Sequence, residues 1–548
     1  MASRSRRLAA LAAAATFCIG ISACGRSAGS AGSTAGNISP TAGLVTTTPA
    51  GTRPASSVVW AVYRDVNSLD PIFAFDYPEN TAVSLMCESL LRQAPDGSIE
   101  PGLASLSYRN PTTMVFTLKP GIKFWDGHPV TPADVVYSLD RAMEPKFGGF
   151  YTAVFSRVKS IAATGSNQVT ITLKQPDYWL PGELSSMPGV VIEKSFAIKQ
   201  GKNYGTPAGK IMCTGAYMFK SWTPGVGVVA VRNPHYWNTS VKPLVQQITI
   251  KGVPSDATLT AGLETGAING SYAQDISTLD QLRASKAVHV FQGPGWSTDA
   301  FIISNLHSPL GNVKVRQALS LALNRQAIIN TVYHGAALMP RWESNPGTFG
   351  YGKSVFAKAY DSSPLLTQNL AKARRLMHEA GAVGKTITVG MSSQISNIAA
   401  VAGAYQEAGQ AIGLNVKLQD VSAQNFINYF TDPNARKGVD GFFTVNYGDY
   451  ADPAAMLATF VLPDGSQNYD NFHDPAIISL MERARGTANP DKRAALIVQA
   501  EKLTMQQLPW IPDAQPTSVL ILSKNLTGAV ASFAYMFAPW ADSLGTAG

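Results

Sequence analysis

Beyond its N-terminus the chain has no apolar run approaching the roughly 18 residues that cross a bilayer as a helix, so its body is not expected to be an integral membrane domain. An excess of one charge is equally hard to find. Lysine and arginine total 44 against 36 acids, yet Arg4, Arg6, Arg7, Arg26 and Arg53 lie in the first 57 residues with no acid beside them, and the remainder carries 39 against 36. No basic block interleaved with aromatics occurs, so no nucleic-acid partner is expected. The seven histidines (His128, His235, His289, His307, His334, His378 and His473) show no HxH or HExxH spacing, which argues against a dedicated metal site. Also missing are a GxSxG elbow, a cysteine set beside a histidine motif, a paired-carboxylate motif and a dinucleotide fingerprint. Gly384-Lys385-Thr386 imitates the end of a phosphate-binding loop, but Glu379 stands where its first glycine is required. A lipid-anchored hydrolase would need a nucleophile, and none can be nominated. The expectation is a protein that is not an enzyme and carries no cofactor.

What is present begins with an address. Arg4, Arg6 and Arg7 precede an apolar stretch from Leu8 to Ile21, too short for a stable span and suited to a signal peptide over 1–23. It runs into Ile21-Ser22-Ala23-Cys24, which resembles the bacterial lipobox, whose cysteine is acylated; an ordinary secretory signal with an incidental cysteine is the plainer alternative. The tract that follows, to residue 57, is Gly/Ser/Thr/Ala/Pro-rich with little to bury, so 24–57 is expected to be a flexible tether with a reach of about 30 Å. With Cys18 in the leader and Cys24 as lipid site, Cys87 and Cys213 remain, either as a disulfide in an oxidising compartment or as two buried thiols.

The mature chain of 548 residues less its leader allows two to four domains. Val58–Tyr63, Met114–Leu118, Gln168–Leu173, Gly215–Trp222 with Val226–Val231, and Val245–Val253 read as strands, and Thr81–Leu91 as a helix. Thr131-Pro132-Ala133-Asp134 fits a helix start, with Thr as N-cap and an acid at the third position. Val313–Tyr333 reads as one long helix. Leu370–Ala380, Ile387–Gly390, Ala399–Ile412 and Asn415–Gln419 then alternate helix and strand, which implies parallel pairing and an α/β fold. The most informative stretch is Val439–Pro453, VDGFFTVNYGDYADP, an apolar strand ending in aromatics and acids. A carboxylate just past a strand end lies where open α/β sheets place ligands, so Asp449 is the central candidate; as a lone acid it also suits a surface turn, as Asp452 before Pro453 does.

Several segments together carry a resemblance: Ser68-Leu69-Asp70-Pro71; Arg109–Arg141, RNPTTMVFTLKPGIKFWDGHPVTPADVVYSLDR; Cys213-Thr214-Gly215-Ala216-Tyr217; Arg232-Asn233-Pro234-His235-Tyr236-Trp237; and Asp449–Pro453. In order and spacing they resemble the peptide/nickel/opine class (family 5) of extracytoplasmic solute-binding proteins, the receptors of ABC importers. The resemblance implies an α/β, periplasmic-binding-protein-like clamshell (class II, three-domain, cluster C type). Domain I would comprise 58–85 with 210–290 and 510–548, domain II 86–209 and domain III 291–509. It implies capture of a short peptide, with Asp449 anchoring the α-amino group. Phe75, Asp76 and Tyr77 would line the opposite wall, and Tyr447 and Asn446 would shape the pocket; Asn446 occupies a place where peptide-binding relatives commonly carry Trp. Trp125, Asp126, His128, Tyr236 and Trp237 are taken as structural. The expected partners are a short peptide or similar small solute, the ABC permease and ATPase subunits, and the membrane through the lipid on Cys24, with the protein itself a monomer. A receptor of the same fold for haem, a metal chelate or a glycoside is the alternative, and a chaperone or signalling receptor would share the clamshell.

Overall fold

The computed structural model describes residues 43–273 and 277–548. The leader and Cys24 therefore lie outside the described residues.

Three β-sheets organise the fold, and each of them, with the helices and loops packed on it, makes up the first, second or third unit. The first is seven-stranded among the described residues and has Val58–Val62 at its centre, parallel to Gln247–Gly252 and to Gly270–Ala273. Its antiparallel edges are the hairpin Tyr217–Thr223 with Gly227–Arg232 on one side and Ser518–Ser523 with Val288–Gly293 on the other. Aromatics cover it. Trp60 packs at 4.9 Å from Tyr272 and 4.2 Å from Trp540 (ring centroids), and Tyr272 stacks on Tyr535. Each buried ring of this kind contributes about 2 to 3 kcal/mol of apolar burial.

The second sheet is four-stranded and antiparallel, in the order Ala104–Asn110, Thr113–Leu118, Gln168–Leu173 and Val158–Ala163, backed by helix Pro132–Met143. That helix starts as its sequence implies. The Asp134 amide donates to Thr131 Oγ1, and the Thr131 amide donates to Asp134 at 2.9 Å. Cys87 and Cys213 are joined by a disulfide, Cα–Cα 5.0 Å, which ties the end of helix Tyr77–Met86 to the chain returning into the first sheet.

The third sheet runs Ala337–Leu338, Trp510–Pro516, Ser297–Ile303, Gly441–Tyr447, Thr386–Met391, Asn415–Asp420, with helices on both faces. Its last two strands pair in parallel, as the helix and strand alternation implies. Gly441 is required where it stands: a Cβ there would come within 2.1 Å of the Phe301 ring on the next strand.

Three expectations are revised. Residues 43–57 are laid along the first unit rather than free: Thr47 bridges Val530, Arg53 bridges Thr546, Ala55 bridges Val245, and Thr48 is buried. Trp510–Pro516, assigned with the first unit, is a strand of the third sheet beside Ser297–Ile303. The long helix over 313–333 is two, Val313–Ala322 and Arg325–Thr331, because Asn324 leaves the helical conformation to cap the second, accepting from the Ala327 amide at 3.1 Å. Arg325 is drawn inside there, donating to the Pro512 and Ser320 carbonyls at 2.8 and 2.7 Å.

Candidate functional site

Strand Gly441–Tyr447 delivers the site. Its apolar Phe442 and Phe443 bury it in the third unit, and Gly448 then turns the chain so that Asp449 leaves the sheet end facing the second unit. Across the gap, Gln93 donates to the Asp449 carbonyl at 2.7 Å. Gly182 lies so close to the Tyr450 ring that a Cβ would stand 2.3 Å from it. The units also clasp through the Asp177–Arg485 ion pair at 2.6 Å, the Asp96–Lys353 pair at 2.8 Å and the Arg157–Glu482 pair. On the first unit's side, Tyr447 Oη donates to the Phe75 carbonyl at 2.7 Å.

Tyr447, Phe75 and Tyr77 come together. The Tyr447 ring lies 5.4 Å from Tyr77 and 5.6 Å from Phe533, and Phe75, half exposed, packs its ring 4.3 Å from Phe150. The Tyr77 hydroxyl is buried without a partner. Asp449 faces Tyr151 and Tyr447, whose phenol ionisation is suppressed by burial and by its charge. Among the described residues no hydrogen bond or ion pair reaches the Asp449 carboxylate, and burial raises its pKa to about 6.

Two of the expected pocket residues are used elsewhere. Asp76 caps helix Tyr77–Met86, accepting from the Tyr77 amide at 2.8 Å, and pairs with Arg64 at 2.6 Å. Asn446 is turned into the third unit, donating to Glu343 at 3.2 Å and to the Met456 carbonyl at 3.4 Å. Successive strand side chains point to opposite faces, so with Tyr447 in the cleft Asn446 cannot share its wall. Sequence reading missed Glu183, Tyr151 and Gln93. Glu183 closes the short helix Leu180–Glu183, and its segment offers no signal beyond an acid after the apolar Trp179-Leu180-Pro181-Gly182.

A cavity of about 740 Å³ lies along the same seam beyond Tyr450, walled by Tyr108 and Tyr178 from the second unit and by Tyr351, Tyr450 and Arg493 from the third. Away from the seam, Asp126, His128 and Glu193 converge, with His128 Nδ1 2.9 Å from Asp126 and 3.2 Å from Glu193. Both acids raise the pKa of the exposed imidazole, Asp126 most.

Comparison with known proteins decides the class. The profile of the bacterial extracellular solute-binding proteins, family 5, matches residues 98–468. The chain belongs to that family. Members of this family of solute-binding proteins are peptide- or nickel-type receptors of ABC importers rather than enzymes, and they act outside the cytoplasm. The murein peptide-binding protein MppA of Escherichia coli K12 is 26% identical over 507 residues, spanning 88% of this chain and 92% of MppA. The oligopeptide-binding protein OppA of the same organism is 26% identical, spanning 84% and 87%. Among solved structures, DppA of Helicobacter pylori in complex with the peptide STSA superposes with TM-score 0.75 at 21% identity, covering 90% of this chain and 99% of its own. AgaA of A. tumefaciens with agropinic acid gives 0.76 at 20% identity, covering 90% and 98%. These likenesses establish the periplasmic-binding-protein fold for this member. Among the described residues no helix is long and apolar enough to cross a membrane.

Proposed function

We propose that this family 5 protein captures short peptides by their N-terminal ammonium and delivers them to the permease of an ABC importer. The observation that carries the reading is Asp449, a carboxylate between lobes that has no hydrogen-bond or ion-pair partner among the described residues. Buried charges are ordinarily paired, so the cation belongs to the ligand. Phe75 lies in loop backbone whose carbonyl Tyr447 reaches across the seam, and main-chain pairing along such a loop gives affinity without demanding one side chain. The relatives that bind murein peptides and oligopeptides support a peptide as cargo.

Closure follows from the same geometry. A ligand bound at Asp449 touches both sides of the seam only when Tyr447 reaches Phe75 and Arg485 reaches Asp177, so binding favours the closed state that the permease receives. Cys24 would hold the receptor at the outer face of the cytoplasmic membrane through its lipid.

Native mass spectrometry of the protein purified from cells, followed by release of its cargo, tests the reading. A mixture of short peptides is the expected result; a single non-peptide solute overturns the peptide. Calorimetry of Asp449→Asn tests the anchor: a loss of about 2 to 5 kcal/mol in peptide affinity is expected, and unchanged affinity overturns the role. Because Asp449 must be ionised to attract an ammonium, wild-type affinity should rise as pH increases through about 6.

A further inference from the structure

Asp449 is not the only acid in the cleft left without a cation. Glu183, at the end of helix Leu180–Glu183, is brought beside it by the packing of Gly182 on the ring of Tyr450, the residue that follows Asp449. The neighbouring charges are already spent. Arg485 commits Nε and Nη2 to Asp177 at 3.0 and 2.6 Å. Asp452 accepts from the Ala454 amide at 2.8 Å and from Tyr351 Oη at 3.1 Å. Among the described residues nothing hydrogen-bonds to or pairs with the carboxylate of Glu183 or of Asp449, while both keep part of their surface open. A further polar group points to a missing partner: the Tyr450 hydroxyl, on a residue 3% exposed, has none among the described residues, and it faces Asp452 and Glu183.

We propose that Glu183 and Asp449, one from each side of the seam, form a two-carboxylate receptor for a ligand with two positive charges at one end, such as a peptide whose first residue is lysine or arginine. This rests on the reading of Asp449 as the ammonium anchor and makes Glu183 the residue that selects the first side chain. Two acids close together in a protein interior do not both ionise without cations. Burial and the charge of Asp449 raise the pKa of Glu183 well above its usual range, with Asp177 and Asp452 adding to the rise and Arg485 opposing it, so the protonated form of Glu183 is favoured until a second cation arrives. An ammonium alone answers Asp449. A second cation displaces the Glu183 proton to solvent, forming an ion pair where an O–H bond stood, and that exchange separates basic from neutral first residues.

The test is calorimetry at pH 7 with Lys-Ala-Ala and Ala-Ala-Ala, each in phosphate and in Tris so that proton release is read from the difference in heat. The wild-type protein is expected to bind Lys-Ala-Ala at least about tenfold more tightly (about 1.4 kcal/mol) and to release more protons with it than with Ala-Ala-Ala. Glu183→Gln is expected to bring the two affinities within about twofold and to abolish the release, and Glu183→Asp to restore part of both. Equal wild-type affinities, or a preference and proton release that survive in Glu183→Gln, overturn the proposal. Asp449→Asn separates the two readings. If it weakens both peptides while the wild type shows no basic preference, only the role of Glu183 fails. If it weakens neither, or if neither peptide binds the wild type, the anchor reading fails and this one with it.

Discussion

Raising the pH should loosen the third unit through one residue behind the binding strand. Glu343, 1% exposed, accepts from Asn446 on strand Gly441–Tyr447 and lies near Glu501, itself buried. Burial is the main cause that pushes Glu343 from 4.5 to about 8, and Glu501 is raised to about 7. A carboxyl with a raised folded-state pKa holds its proton more tightly folded than unfolded, so its stabilising contribution is complete below about 4.5 and is lost as pH climbs through about 8. At about 1.4 kcal/mol per pH unit, that shift corresponds to about 5 kcal/mol for Glu343. The perturbation is Glu343→Gln, which keeps an acceptor for Asn446 and removes the titration. Chemical denaturation at pH 5 and pH 8 is the assay. The variant should gain on the wild type by several kcal/mol between the two pH values. An identical difference at both would refute the reasoning, because a purely steric change does not depend on pH.

Other perturbations follow from the clasp and the staples. Tyr447→Phe deletes the 2.7 Å bond to the Phe75 carbonyl and should weaken ligand binding by about 0.5 to 1.5 kcal/mol in calorimetry; unchanged affinity would mean the bond is absent from the liganded state. Arg485→Gln leaves the buried Asp177 carboxylate without its cation and should cost about 3 to 5 kcal/mol in denaturant unfolding, and a loss below about 1 kcal/mol would show that solvent screens the pair. Replacing Cys87 and Cys213 together by serine opens a closure spanning 126 residues and should cost about 5 kcal/mol by loop entropy; a melting temperature indifferent both to that change and to reductant would contradict it.

Most of the framework was legible because its signals are local. The Phe/Val run of 441–445 made a strand, the turn beyond it placed Asp449 at a sheet end, and Thr131 with Asp134 announced the start of their helix. The family segments added the fold, and the profile match over residues 98–468 shows the family. Asn446 was misplaced because motif spacing was followed where strand alternation should have ruled: neighbours on a strand face opposite ways, and Tyr447 had already claimed the cleft. Residues 43–57 read as tether because their composition offers little to bury, yet main-chain bridges at Thr47, Arg53 and Ala55 need no apolar side chain.

Glu183 was illegible for a deeper reason. Nothing in its own segment marks it as more than an acid at the end of a short apolar turn, and its meaning comes from Asp449, which the chain reaches only after building another unit. The close approach that joins them depends on the absence of a side chain at Gly182, a condition that shows only when the Tyr450 ring is found against it. Charge that stays unpaired after folding is therefore the feature a sequence hides best and a structure shows most directly. In the proposed receptor Asp449 and Glu183 meet from opposite sides of the seam, and the ligand's own cations are the last component of the closed state.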